Sequence, residues 1–263
     1  MDKDFLKKSL SDGMSTRDIA KLVGKERSTV SYWIHKYDLM EYSKFQSHIP
    51  YSFEKIDTKE KAYSLGFILG DSSITERMTE LSVAIEDNRI LEFIANVVQA
   101  TVHYDYTFEP KTRRFPRARF SKRITDITKF TGGCAKKDRH YPRVRSDLER
   151  YLIQGLFDAD GCITWGRRKD KNRIWHKIQF ASQYKILYGV QQYLLKNLDI
   201  STAIHPKGTE QCYVLEFANR TDVLKFCEHI YPDDDFIILT RKYLKYRALR
   251  LELEENGEGV IER

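Results

Sequence analysis

Asp71 and Asp160 occupy matched positions in two similar stretches of the sequence, AYSLGFILGDSSI at 62–74 and YLIQGLFDADGCI at 151–163. In both stretches an apolar run ends in a carboxylate that a small residue follows. Phosphodiester hydrolysis needs an activated water and stabilisation of the charge on the leaving oxygen, and divalent cations held by acidic residues supply both. The two aspartates are therefore candidates for metal-dependent hydrolysis, with one acid for each of two cuts.

The repeat also separates the two neighbouring carboxylates of the second stretch. Asp160 aligns with Asp71, whereas Asp158 aligns with Leu69 and is not common to both copies. An aspartate before a glycine at a helix end is ordinary turn chemistry, which is the structural alternative for either copy taken alone. Matched positions in two copies favour a shared function over capping.

Each aspartate needs an element that brings it to its counterpart. Two parallel helices packed side by side would place Asp71 and Asp160 together at the negative ends of both helix dipoles. Two carboxylates there repel each other unless a cation lies between them, and carboxylate and carbonyl oxygens suit Mg²⁺. Small residues four apart permit such close packing. They precede each aspartate as Gly66 and Gly70, and as Gly155 and Ala159.

The similarity continues beyond the two stretches as a strand pair, a helix, a second strand pair and a helix. Alternation in LSVAIE and CYVLEFA predicts strands, and the spacing in ILEFIANVV and ILYGVQQYLLKNL predicts helices. The predicted segments of the first copy are 72–75, 81–86, 88–99, 102–108, 117–123 and 125–130. Those of the second copy are 162–168, 174–182, 185–198, 201–205, 212–218 and 221–230.

The first forty residues have a different pattern. TRDIAKLVGKERSTVSYWI at 16–34 resembles a helix-turn-helix, with Ile19, Ala20, Val23, Val30 and Trp33 or Ile34 in the core and Gly24 in the turn. Small hydroxyls and arginine at a helix N-terminus suit base edges in the major groove. The candidate DNA-binding residues are Arg27, Ser28, Thr29 and Tyr32. A three-helix module that contacts only protein is the alternative.

Charge points to a polyanionic partner. The formal net charge is +7, and residues 252–263 contribute −4 through five Glu and one Arg, so the remainder carries +11. A basic body favours nucleic acid, although some basic proteins have no such partner. Two basic runs, 111–123 and 166–177, overlap predicted strands on the side that would face a groove of DNA, and would otherwise be solvated hairpin tips. Alternation puts Arg117 with Arg119, and Arg167 with Lys169, on shared faces. The candidate DNA contacts are Arg113, Arg117, Arg119, Arg167, Lys169 and Arg173.

The cysteines and the hydropathy of the chain indicate in which cellular compartment the protein is expected. The four cysteines form no CxxC pair and no His cluster has zinc spacing, so reduced thiols are expected. The N-terminus MDKDFLKKSL has no apolar signal segment, and no apolar run approaches the ~20 residues that span a bilayer. An intracellular, cytoplasmic protein without membrane contact is expected.

GFILGDS and GLFDADG, with the repeat around them, make residues 57–250 similar to the double-motif LAGLIDADG homing endonucleases. The resemblance implies an α+β fold: two pseudo-symmetric αββαββα units whose antiparallel sheets form a saddle over DNA, here after a small all-α helix-turn-helix domain. It implies that Asp71 and Asp160, with the carbonyls of Gly70 and Ala159, bind Mg²⁺ or Mn²⁺. It also implies cleavage of both DNA strands across the minor groove, with short 3′ overhangs.

Further catalytic positions follow from the resemblance. The family often places a polar residue at the end of the second strand of each half, where Gln183 and Glu86 lie, and a basic residue after the second sheet. Lys242 of the Arg-Lys pair 241–242 and Lys137 of the pair 136–137 match the basic positions more loosely. The first copy departs from the family pattern at Leu69 and Ser72, which concerns turn geometry and not the metal ligand.

The sequence thus predicts a helix-turn-helix at 1–40, a linker at 41–56, the two halves at 57–133 and 145–251 joined by 134–144, and an acidic tail at 252–263. The leading interpretation is a monomeric, site-specific endonuclease acting on double-stranded DNA with a long target. A non-catalytic DNA-binding regulator and an RNA maturase are the alternatives, although RNA binding is not indicated. An intein is disfavoured because the chain lacks a splicing block and does not end in His-Asn.

Overall fold

The computed structural model describes residues 1–11, 14, 16–39, 51–108, 115–167, 174–208, 212–232 and 236–255. Across these ranges, every helix is too short or too polar to cross a bilayer. The four cysteines, which lie within the same ranges, are all free thiols.

Three N-terminal helices share one small core. They are α1 (Lys3–Ser11), α2 (Thr16–Leu22) and α3 (Arg27–Lys36). Gly24 lies between α2 and α3 with φ +59°, the left-handed conformation that glycine adopts without strain. The turn is at the predicted glycine, and of the predicted core positions Ile19, Ala20, Val30 and Ile34 are buried whereas Val23 is partly buried. The core side chains are Leu6, Leu10, Ile19, Ala20, Val30, Ile34 and Leu39.

The next unit builds a four-stranded antiparallel sheet in the order β2-β3-β5-β4. A short parallel pair, β1-β6, lies beside it. The elements are β1 (Tyr51–Ser52), α4 (Lys59–Asp71), β2 (Ser73–Ile74), β3 (Thr79–Ala84), α5 (Asn88–Val97), β4 (His103–Asp105), β5 (Arg117–Lys122), β6 (Ile124–Thr125) and α6 (Ile127–Thr131).

The second unit repeats this arrangement with the sheet order β7-β8-β10-β9. Its elements are α7 (Ser146–Asp160), β7 (Gly161–Arg167), β8 (Ile174–Ser182), α8 (Tyr184–Leu198), β9 (Ile204–Pro206), β10 (Tyr213–Phe217) and α9 (Arg220–Ile230), followed by α10 (Thr240–Glu255). Both units run αββαββα, so the predicted α+β architecture with two antiparallel sheets is confirmed.

Helices α4 and α7 cross in parallel with their backbones in contact. A Cβ placed on Gly155 would lie 2.0 Å from the carbonyl oxygen of Tyr63, and one on Gly66 would lie 2.1 Å from that of Leu152. Atoms cannot approach so closely, so both positions require glycine for this packing. The small residues seen in the sequence therefore form the crossing, as predicted.

The predicted end of the second strand in the first unit is wrong by two residues. Strand β3 ends at Ala84 instead of Glu86, and Ile85–Asp87 form a 3₁₀ turn. Ala84 pairs with Arg117, the first residue of β5, and Pro116 before it has no N–H to extend the ladder. The proline therefore sets where the sheet stops.

Residues 236–239, which precede α10, pack into the core of the first unit. Phe236 contacts the rings of Tyr63 and Tyr151 at centroid distances of 5.6 and 4.9 Å. The carbonyl of Ile237 accepts a hydrogen bond from Gln154 Nε2 at 2.7 Å. This segment thus connects the end of the second unit to the interior of the first.

Candidate functional site

The two motif helices end side by side at their aspartates. Asp71 is the last residue of α4 and Asp160 is the last residue of α7. A Cβ placed on Gly70 would lie 2.7 Å from Ala159 Cβ and 3.1 Å from Asp160 Oδ2. The parallel crossing therefore brings the C-terminal ends of both helices, with their carboxylates, to one place, as the repeat predicts.

The environment of the two carboxylates disfavours their ionised forms. Burial, followed by repulsion from Asp71, raises the pKa of Asp160 to about 6, and a hydrogen bond from Ser182 opposes the shift. Burial raises the pKa of Asp71 as well, although Asp71 keeps contact with solvent. The attraction of Lys136 lowers both pKa values. A pair that repels and is partly buried is the environment that a divalent cation relieves.

Side chains alone do not complete a metal site. Within the described ranges, no three His, Cys, Asp or Glu side chains come together as a ligand group. The two carboxylates would therefore need backbone oxygens or water as further ligands, which are the ligands that Mg²⁺ accepts. The predicted carbonyl ligands of Gly70 and Ala159 are at the right ends of the helices for this role.

A cavity of about 360 Å³ opens beside Asp71 and is lined by Ser72, Cys134 and Lys136 among others. Lys136 is exposed and its charge acts on both aspartates. Lys137 is exposed as well but does not line this cavity. The structure thus puts Lys136, not the predicted Lys137, beside the carboxylate pair.

Lys242 has a different environment from the one expected of a catalytic lysine. Its ammonium is buried and donates hydrogen bonds to the carbonyls of Phe157 and Asp158 at 2.5 and 2.8 Å. Burial lowers its pKa to about 8. These bonds give a donor to the carbonyl of Asp158 at the end of α7 and a second donor to the carbonyl of Phe157, which also accepts from the Gly161 amide.

Arg139 does the same for the first motif helix. Its guanidinium is buried and donates to the carbonyls of Leu69 and Ser72 at 2.9 and 3.0 Å. Leu69 is the counterpart of Asp158 in the repeat, so each motif helix ends on a buried cation. Arg139 was not predicted, because nothing in the sequence of segment 134–144 distinguishes it from the surrounding basic residues.

The polar position after the second strand is one residue away from the prediction in the first half. Gln183 is the N-cap residue of α8, and the residue at the N-cap of α5 is Asp87, not Glu86. Glu86 is exposed, whereas Asp87 is mostly buried and accepts a bond from Arg241 Nε at 2.9 Å. The 3₁₀ turn that replaces the end of β3 causes this shift.

Asp158, the unmatched carboxylate, is a structural group. It is fully buried and accepts hydrogen bonds from the hydroxyls of Tyr63 and Tyr231 at 2.8 and 2.5 Å, and from the amide of Leu239 at 3.3 Å. Three donors from different parts of the chain converge on one side chain. Asp158 thus joins α4, the end of α9 and the start of α10 to α7.

The open face of the first sheet carries two predicted DNA contacts. Arg117 and Arg119 alternate with buried Ala118 and Phe120, and so they share the exposed face. A cavity of about 720 Å³ lies over this face. Its lining includes both arginines together with Glu80, Ser82, His103 and Asp105.

In the second sheet, the predicted DNA contact Arg167 does not lie on the open face. Arg167 forms an ion pair with Glu252 of α10, with Nη2 and Oε2 2.5 Å apart, on the face where Trp165 bonds to the carbonyl of Lys245. Arg167 therefore faces the helix and not the open face. The open face carries Lys177 and Gln179 instead. Arg113, Lys169 and Arg173 lie outside the described residues.

The N-terminal candidates lie on the first turns of α3. Arg27, Ser28 and Tyr32 are exposed, and Thr29 is partly exposed. The ring of Tyr32 is 57% exposed, which is large for an aromatic side chain and leaves it free to contact a ligand. These positions match a surface helix, and their role in DNA binding remains a prediction.

Comparison with known proteins agrees with this geometry. Residues 147–231 match the family model of the LAGLIDADG-like domain. The search of curated proteins finds no match.

Solved structures with a similar fold have low sequence identity. The chain is similar to the LAGLIDADG meganuclease I-AabMI bound to uncleaved DNA, with 12% identity and a TM-score of 0.52 over 77% of this chain and 92% of that one. For I-GzeII in complex with its DNA target the identity is 6% and the TM-score 0.52, over 75% and 91%. For I-SmaMI bound to cleaved DNA they are 10% and 0.50, over 78% and 91%.

The structure has two halves, each with one motif helix, and the carboxylates at the ends of these helices lie together between two polar sheet faces. The second half matches the family model, and three quarters of the chain match the fold. Residues 147–231 match the family model of the LAGLIDADG-like domain, and the chain has the fold of the LAGLIDADG homing endonucleases.

Proposed function

We propose that this protein is a site-specific DNA endonuclease that cuts both strands with a divalent cation, Mg²⁺ or Mn²⁺, and leaves short 3′ overhangs. The observation that carries the proposal is the meeting of Asp71 and Asp160 at the ends of two parallel helices, between two sheets with polar open faces. A DNA duplex across the sheets would present its backbone to both carboxylates.

The residues present fit a divalent cation. A cation between the two carboxylates would offset their raised pKa values, to which repulsion from Asp71 contributes at Asp160, and the helix ends add the carbonyls of Gly70 and Ala159. When bound, the cation activates water and stabilises the charge on the leaving oxygen. Pseudo-symmetry gives one carboxylate to each strand, which accounts for two cuts.

The surrounding side chains have supporting roles in the proposal. Lys136 is exposed beside both aspartates and stabilises negative charge on the phosphate. Arg139 and Lys242 hold the last turns of the motif helices, so that the aspartates keep their positions. Gln183 and Asp87 occupy equivalent helix N-caps, from which a polar side chain orients solvent near the site.

The sheets and the N-terminal helices would bind the target. Arg117 and Arg119 project from the open face of the first sheet, and Lys177 and Gln179 from that of the second. Side chains of this kind bind phosphates and read base edges in the major groove. Helix α3 adds a second point of contact and lengthens the target site. The solved relatives were captured with duplex DNA, which supports the same mode of binding.

The experiment is selection of cleaved sequences from a randomised duplex library, with Mg²⁺ or with EDTA. The expected result is one long, imperfectly palindromic site with short 3′ overhangs. Asp71→Asn and Asp160→Asn should bind this site without double-strand cutting, whereas Lys137→Ala should retain cutting because Lys137 does not line the cavity. Tight duplex binding without Mg²⁺-dependent cuts in the unmodified protein would favour the regulator, and preference for structured RNA would favour the maturase.

A further inference from the structure

Three polar side chains on the open face of the second sheet form one hydrogen-bonded cluster, called here the β8–β10 triad: Lys177, Gln179 and Glu216. Lys177 Nζ lies 2.9 Å from Glu216 Oε2, and Gln179 Nε2 donates to the same oxygen at 2.9 Å. Lys177 and Glu216 keep 34% and 39% of their side-chain surface exposed, so the cluster is ordered but accessible.

The sheet itself positions the triad. Glu216 of β10 is the direct cross-strand partner of Gln179 of β8, and Lys177 precedes Gln179 by two residues on the same face. Residues of β8 with the opposite parity, Ile178 and Phe180, are fully buried in the core. The three side chains therefore project from the open face, and the register of β8 and β10 fixes their relative positions.

Glu216 is the centre of the triad. Its hydrogen bond with Lys177 lowers the pKa of its carboxyl, and Gln179 and His205 contribute in the same direction. Both bonds end on Oε2, and within the part of the chain that the structure describes Oε1 accepts no hydrogen bond, so that it is an acceptor beside the remaining N–H donors of the Lys177 ammonium. The ion pair can therefore donate to a ligand through the Lys177 ammonium and accept from it through Glu216 Oε1, at two fixed neighbouring positions.

This pattern matches one base pair. In the major groove a G·C pair shows the O6 and N7 acceptors of guanine next to the N4 amino donor of cytosine. Lysine donates to the guanine acceptors, and a carboxylate accepts from cytosine N4. Lys177 and Glu216 together are complementary to a G·C pair in one orientation, and Gln179 limits the rotation of the carboxylate.

The first sheet has no such pairing at the equivalent place. Arg119 lies between Ser82 and His103 in the register of the sheet, so its direct cross-strand neighbours do not include a carboxylate. Its guanidinium is held less tightly than Lys177 and can follow either a base edge or a phosphate. Arg119 differs from Lys177 in this respect, although Arg117 in the same sheet does have a carboxylate, Asp105, as its cross-strand partner.

We infer that the β8–β10 triad is a preset base reader, in which Glu216 orients Lys177 so that the second half of the protein selects one G·C pair in one orientation. This rests on the proposed function, because it requires DNA on the open face of the sheet. It assigns a specificity role to Glu216, an acidic residue on a surface that faces a polyanion.

The test compares position-by-position base preference from the randomised duplex library for four proteins. In Glu216→Gln, preference for G·C at a single position should fall by roughly 5- to 150-fold, the discrimination that a good base contact supplies. In the double variant Lys177→Glu/Glu216→Lys, the charges are exchanged and the preferred pair should invert to C·G. Arg119→Ala should alter only positions on the other side of the centre, which identifies the half-site of each sheet.

An unchanged profile in Glu216→Gln, or a retained G·C preference in the exchanged variant, would overturn the inference. The selection is also read as bound DNA in EDTA, so that the triad is tested even when the unmodified protein does not cut. Absence of cutting in the unmodified protein counts against the endonuclease proposal. Cutting with an unaltered Glu216→Gln profile counts only against the triad.

Discussion

Asp158 and Asp160 lie two residues apart in α7, and the structure predicts opposite effects when each is replaced by asparagine. Asp160 ends the helix beside Asp71, which repels it. Asp158 is surrounded by donors from three other segments of the chain. Loss of the charge should therefore stabilise the metal-free protein at position 160 and destabilise it at position 158.

The magnitude for Asp160 follows from its pKa, which rises from 3.8 to about 6 in the folded protein. Because the folded state holds this proton more tightly, the group stabilises the fold at low pH and loses that contribution as the pH rises through 6. A shift of about 2 units corresponds to roughly 3 kcal/mol of unfolding free energy at pH 8, and to about half of that at pH 5. Asp160→Asn should recover this amount without metal.

The magnitude for Asp158 follows from its partners. Asparagine has one oxygen, so its Nδ2 would face a tyrosine hydroxyl or the Leu239 amide, and a buried donor would lose its acceptor at a cost of about 1–3 kcal/mol. The buried ammonium of Lys242 would also lose the negative charge that attracts it. Burial raises the pKa of Asp158 as well, so removal of the charge is favourable in itself, and the prediction rests on the three buried donors that asparagine cannot all satisfy. Asp158→Asn should be destabilising at pH 8.

The assay is urea unfolding of the two variants and the unmodified protein in EDTA at pH 8 and pH 5. The expected result is a higher midpoint for Asp160→Asn at pH 8, a smaller gain at pH 5, and a lower midpoint for Asp158→Asn. Added Mg²⁺ should stabilise the unmodified protein more than Asp160→Asn, since ligand binding to the folded state adds stability. A less stable Asp160→Asn at pH 8 in EDTA would refute this view of the site.

Three further predictions test other parts of the molecule. Gly155→Ala should lower the unfolding free energy by about 1–3 kcal/mol in urea titrations, because the new Cβ meets the rigid carbonyl of Tyr63. Gly70→Ala should lower it less, because its Cβ meets the side chain of Ala159. Equal losses in the two variants would contradict the packing of the helix crossing. Removing residues 1–40 should weaken and relax DNA binding in equilibrium titrations but keep cleavage, and a folded, inert truncation would contradict the modular reading. DNA affinity should fall steeply with salt because several phosphates are contacted, and a flat dependence would argue against the basic sheet faces.

The helix crossing and most strands were predictable because their signals are local. Small residues four apart and a matched aspartate specify the crossing without knowledge of any other contact. Strand alternation likewise groups Arg117 with Arg119 correctly. Alternation states which side chains share a face, however, and not which face is covered. Arg167 shares its face with Trp165, and α10, 80 residues further along the chain, covers that face.

The cations and the polar positions of the site depend on long-range packing. Lys242 and Arg139 are distinguished from their basic neighbours only by the carbonyls they meet in helices 70 or more residues away. Similarly, Asp87 replaces Glu86 because the ladder ends at Pro116, the residue before a neighbouring strand. No spacing rule within one segment contains this information.

The placement of residues 236–239 affects how the two halves fold during synthesis and whether one half can be replaced by that of another protein. Phe236 and Leu239 complete the apolar core of the first unit, yet they are synthesised after almost all of the second. During translation the core of the first unit therefore remains partly exposed until the ribosome has passed the start of α10. For the same reason, a chimaera that takes its second half from another protein needs a compatible 236–239 segment, because the graft also supplies part of the interior of the half it leaves in place.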